Sequence, residues 1–152
     1  MSGGRQELEE LSQQLQVIQE QLEGLRASLQ AVRTEQTAVE DAIEAIEALE
    51  TGSDVRVPVG GGAHVRASIT DIEEVVVELG ADYAAEFERE DAIAALERKT
   101  DRLEERAEEL TDQIGDLEAE SGQLEQEAQR LQQQALQQQM QGMGEGGGLG
   151  GT

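Results

Sequence analysis

The sequence predicts an α+β chain: a long antiparallel coiled-coil hairpin with two β-hairpins inserted between its helices. Three observations carry this. Both ends of the chain have apolar residues spaced by three and four, the middle changes to a period of two, and the aromatic content is one Tyr and one Phe. A 3.5-residue period defines a coiled-coil seam and a period of two defines a half-buried strand. With so few aromatic rings, the chain cannot build a large globular core of its own.

The first helix is expected over 8–51, after a flexible stretch over 1–7. Its seam runs Leu8, Leu11, Leu15, Ile18, Leu22, Leu25, Leu29, Val32, Val39, Ile43 and Ile46, with Gln36 the one interruption. Gly24 lies off the seam, and Gly52 suits the left-handed residue that stops a helix. The second helix is expected over 90–140. Leucine recurs every seventh residue from Leu96 to Leu131, and the companion series is Ile93, Thr100, Ala107, Ile114, Ser121, Ala128 and Ala135. The arms match in the antiparallel register that sets Leu8 against Leu131, Leu15 against Leu124, Leu22 against Leu117 and Ile43 against Leu96. Large residues then meet large in one set of layers, and mostly small ones in the other. Gln36 and Thr100 read either as polar layers that fix register or as a locally loose seam.

Between the arms, over 52–89, the chain alternates. Val55, Val57 and Val59 precede Gly60-Gly61-Gly62, and Val65 and Ile69 follow, which reads as a hairpin. Val75, Val77 and Leu79 precede Gly80-Ala81-Asp82, and Tyr83 and Phe87 follow, which reads as a second. Pro58 has no N–H to give a ladder, so it belongs at an edge or in solvent. Two hairpins bury too little surface to offset the entropy of ordering them. Their faces and edges therefore require other chains, and these ten apolar positions are the expected oligomerisation surface.

The composition excludes much. There are 34 acidic against 11 basic residues, a net charge of -23, no Cys and a single His, His64. Disulfide frameworks, zinc fingers and thiol catalysis are out. Such a charge repels phosphate, so no nucleic-acid partner is expected. No apolar run approaches the roughly 20 residues of a membrane span, and the first residues lack the apolar stretch of a signal peptide. A soluble, cytoplasmic protein without membrane attachment is expected. The acidity with almost only Arg as base resembles proteins that work in concentrated salt, where charge repulsion is screened; an ordinary acidic coiled coil is the alternative.

No enzyme site is expected. Gly60-Gly61-Gly62 lacks the Lys-Ser or Lys-Thr of a phosphate loop. His64 has no second ligand to share a metal, and Glu73-Glu74 and Glu104-Glu105 read as solvated charges. No cofactor is called for.

Helix, two hairpins and helix, with Val57-Pro58-Val59-Gly60 in the first hairpin and Glu90-Asp91-Ala92-Ile93 opening the second helix, resembles the α-type subunit of archaeal prefoldin. The resemblance covers about residues 8–138 and is most specific over 55–93. The extreme acidity, and His64 where large apolar residues are common, depart from that pattern. The resemblance implies a hexamer of two such subunits with four β-type prefoldin subunits. Their hairpins would close a shared β-barrel body carrying six coiled-coil arms. It also implies an ATP-independent holdase that captures unfolded proteins at the coiled-coil tips and delivers them to a group II chaperonin. A structural coiled-coil spacer or tethering protein is the alternative, and a β-module enzyme or ligand binder a more distant one.

Apolar residues off the seam gather near the free ends of the arms. Val17, Leu136 and Met140, with the seam-end residues Leu8, Leu11 and Leu131, are the expected client contacts. Met1, Met143 and Leu149 lie in the flanks. Beyond 140 a glycine-rich segment, 141–152, is expected to be disordered.

Overall fold

The computed structural model describes the backbone of residues 2–150 and the side chains of residues 3–142. The order is α1 (Ser2–Ala48), β1 (Asp54–Gly60), β2 (Ala63–Ser68), β3 (Val75–Gly80), β4 (Tyr83–Phe87) and α2 (Arg89–Gly150). α1 begins earlier than expected, at Ser2, but stops at Ala48, three residues short of 51, and α2 continues past 140 to Gly150. The expected features at Met1, Met143 and Leu149 fall outside the described side chains. No described helix is long and apolar enough to cross a membrane.

The chain divides into two compact units. One holds the residues up to Leu29 together with those from Glu109; the other is Gln30–Glu108. In the first, Ile18, Leu22 and Ile114 are buried, with Leu25, Leu29, Leu117 and Leu124 packed around them. Arg26 and Glu118 pair across the helices at 2.9 Å. These neighbours are the ones the Leu22–Leu117 register brings together. Every expected α1 seam residue from Leu8 to Ile46 is buried or half-buried, and on α2 the same holds from Ile93 to Leu131. Ala135 is exposed, so the α2 seam ends at Leu131.

In the second unit, Val39, Val77, Ala92 and Leu96 form the core, and Ala42, Ile43, Ile46, Val75, Phe87 and Leu103 pack against it. The two interruptions of the seam behave differently. Gln36 is buried, and its side-chain amide donates to Glu104 Oε2 at 2.7 Å. Arg33 completes a triangle, donating to Glu104 and to Gln36 Oε1, each at 2.9 Å. Thr100 instead donates to the Leu96 carbonyl of its own helix.

The strands form two separate two-stranded antiparallel sheets, β1-β2 and β3-β4. Their turns share one device. Gly61 and Gly62 (φ 60° and 82°), and Ala81 and Asp82 (φ 49° and 62°), occupy the left-handed region. Positive φ at both central residues is the type I′ signature, whose twist matches that of the strands. In each hairpin the register shifts one residue before the turn, between Pro58 and Gly60 and between Glu78 and Gly80. Val59 and Leu79 are the residues left over. Gly52 (φ 89°) follows α1, and its N–H donates to the Ile69 carbonyl at 2.7 Å, tying the end of β2 to the helix exit. Arg89 secures the other junction: its backbone N–H donates to the Glu73 carboxylate at 3.1 Å, and its guanidinium to the Leu49 carbonyl.

Candidate functional site

Two surfaces concentrate the features that could engage another molecule, one in each unit. The first is the pair of hairpins. In β1-β2, Val55 faces Ala67 and Val57 faces Val65, which places them on one side of the ribbon; Arg56 facing Arg66 and Pro58 facing His64 take the other. Val57 is 41% exposed and Val65 50%, and the bulged Val59 is 62% exposed. Val55 and Ile69 are half-buried.

In β3-β4, Val75 faces Phe87 and Val77 faces Ala85. That side does not wait for another chain. Val77 is buried, with Val75 and Phe87 packed around it on Val39, Ala92 and Leu96. The expectation that all ten hairpin positions present themselves to other subunits is therefore corrected at these three. Periodicity identifies the apolar side of a ribbon but not the neighbour that covers it. Leu79 and Tyr83 do stay exposed, as does Val76, which pairs with Glu86 between the two buried-side positions. A two-stranded ribbon has an unpaired backbone edge along each strand, so β1 to β4 present four open edges.

The second surface lies where the start of α1 meets the end of the α2 seam. Leu8, Leu131 and Leu136 line a groove of 1230 Å³ together with Arg5, Glu7 and Glu9 of α1 and a row of glutamines on α2. Leu8 and Leu131 are half-buried, whereas Leu136 and Met140 are exposed. Leu11 is buried in the seam, so it is not available while the helices stay paired. Val17 is exposed beside a smaller groove with Ile18, Gln13, Gln14, Gln21 and Glu120.

The ion pairs lie along the arms. Arg26–Glu118, Arg33–Glu104 and Lys99–Glu35 span 2.9 to 3.0 Å between half-exposed side chains, where water and salt screen their attraction and leave them little weight in stability. The Gln36 amide, and then Arg33, hold the Glu104 carboxyl below the usual carboxylate range. Among the described residues no three metal-ligating side chains come together.

Comparison with known proteins follows the same outline. Residues 18–134 match the Prefoldin family, described as prefoldin subunit. The chain is similar to "Prefoldin subunit alpha" of Halorubrum lacusprofundi, 56% identical over 103 residues, covering 68% of each chain. It is similar to that of Haloquadratum walsbyi, 54% identical over 104 residues with the same coverage. The Halobacterium salinarum relative is 57% identical over 97 residues, 64% of this chain and 63% of the relative. Among solved structures, a chain from the cryo-EM structure of filamentous PFD from Methanocaldococcus jannaschii superposes with a TM-score of 0.63. The two are 27% identical, and the match covers 72% of this chain and 93% of that one.

Proposed function

The chain belongs to the prefoldin family, a family of chaperones, and from that premise we propose that it is the two-hairpin subunit of a holdase. Two copies join four one-hairpin β-type subunits, whose strands complete the open ribbons into a closed body. The assembly holds unfolded proteins at the helix ends without ATP and passes them to a group II chaperonin in the cytoplasm. The chain performs no covalent chemistry in this reading.

The observation that carries the proposal is the condition of the hairpins. Val57, Val59, Val65, Leu79 and Tyr83 stay exposed on ribbons with open edges. Exposed apolar side chains on an unpaired strand edge mark a surface that another strand covers. The helix ends support the client-holding part. Leu136 and Met140 are exposed there, and a flexible thioether adapts to clients of no fixed shape. Six weak tips acting on one client gain affinity through effective concentration.

Light scattering in molar salt, on the chain alone and mixed with a one-hairpin prefoldin subunit, tests the assembly. A two-to-four complex that suppresses aggregation of a chemically unfolded protein is expected. A lone dimer that ignores the second subunit and leaves aggregation unchanged would instead make the chain a coiled-coil spacer.

A further inference from the structure

The end of α2 carries a residue pattern that neither the seam nor the acidity accounts for. The chain has 34 carboxylate side chains in 152 residues, yet none between Glu127 and Glu145. Seven of the eleven residues from Gln129 to Gln139 are glutamine. All seven are exposed, and among the described residues none of them makes a side-chain hydrogen bond. Most of them line the 1230 Å³ groove beside Leu8, Leu131 and Leu136, with Glu7 and Glu9 the carboxylates on its α1 side. That space exceeds the ~300–1,000 Å³ of a small-molecule pocket.

A glutamine amide offers two N–H donors and a carbonyl acceptor, the same complement that a peptide group presents. A carboxylate only accepts. Eleven helical residues rise about 16 Å, the length of four or five extended residues. Neutral amides also keep their partners at salt concentrations that screen exposed ion pairs.

We propose that this groove binds the main chain of an extended, unfolded polypeptide through glutamine–peptide hydrogen bonds, with Leu8, Leu131 and Leu136 supplying apolar contact. The inference rests on the client-holding reading and adds to it the group that is recognised. That group is the backbone every unfolded chain exposes, and so recognition is insensitive to client sequence.

The test uses the full-length chain in its assembled form and two fluorescent ten-residue peptides of one sequence, the second N-methylated at alternate amides. A Gln132→Ala/Gln133→Ala/Gln138→Ala/Gln139→Ala variant keeps helix propensity, and circular dichroism verifies its helix content. The expected result is a roughly tenfold weaker Kd for the plain peptide in the variant, at low and at molar salt alike. N-methylation is expected to weaken binding to the unsubstituted protein several-fold and to leave the variant unaffected. Equal affinity of the two peptides for the unsubstituted protein, or undiminished binding by the variant, overturns the proposal. A Leu136→Ser/Met140→Ser variant separates the two levels of failure. If it alone loses the peptides, the ends hold clients by apolar contact and only amide recognition fails. If the peptides bind equally to all three proteins, the helix ends are not the client site at all.

Discussion

Replacing Val57, Val59, Val65 and Leu79 together with threonine removes apolar area from the hairpins while keeping strand-favouring residues at the strand positions. Fully burying a Val or Leu side chain is worth about 1.5–3 kcal/mol. These four are 41 to 62% exposed, so each has about half of that still to gain from a partner. The loss is then about 1 kcal/mol per site, or about 4 kcal/mol per subunit if the sites act independently. At 1.4 kcal/mol per tenfold, assembly should weaken by about two to three orders of magnitude. A dilution series followed by sedimentation velocity reads this as a rise in the concentration at which the complex half-dissociates. Thermal unfolding of the separated subunit should change little, because none of the four is in the core described above. Val77→Thr is the contrasting case. Val77 is 6% exposed, so a hydroxyl there is buried without a partner and costs about 1–3 kcal/mol of subunit stability. If the quadruple variant assembles at the same concentration as the unsubstituted chain, the exposed valines are not an interface and the argument from open ribbons fails.

Three further outcomes are expected. Leu22→Ala and Leu110→Ala remove the two largest fully buried side chains and should each cost about 2–5 kcal/mol, read as a drop in Tm; a shift no larger than that of the exposed Leu136→Ala would contradict the packing described. Ala81 sits at φ 49° without glycine's freedom, so Ala81→Asn with Asp82→Gly, the favoured type I′ pair, should stabilise the second hairpin by about 1 kcal/mol in denaturant unfolding. Glu104 has a lowered folded pKa against an ordinary 4.5. Its contribution is complete above 4.5 and disappears as pH falls through the folded value, so the Tm gap between the unsubstituted chain and Glu104→Gln should be constant near neutrality and narrow in acid.

The seams were readable because heptad spacing survives without knowledge of the partner. Leu22 and Ile114, named from spacing, are buried together in the structure. The hairpins were readable for a similar reason, since Gly61-Gly62 and Asp82 punctuate alternating runs. What spacing could not supply was the identity of the neighbour. Val55 and Val57 recur with the same two-residue period as Val75 and Val77, yet Val77 docks on α1 and α2 while Val57 stays exposed. Gln36 was recognisable as an interruption, but its closure onto Glu104 depends on a side chain 68 residues away. Thr100 gave the same signal and satisfies its hydroxyl within its own turn. At the helix ends Leu136 and Met140 stood out as off-seam, whereas the burial of Leu11 followed from how far the pairing extends.

The unpaired strand edges also bear on how such a subunit is produced. A copy made without its complement carries four free rows of backbone donors and acceptors beside uncovered valines, a template on which further strands can stack. Under the proposed assembly, surplus copies are therefore prone to stack strand on strand. If the proposed two-subunit assembly holds, synthesis of both kinds of subunit in fixed proportion limits how long those edges stay uncovered.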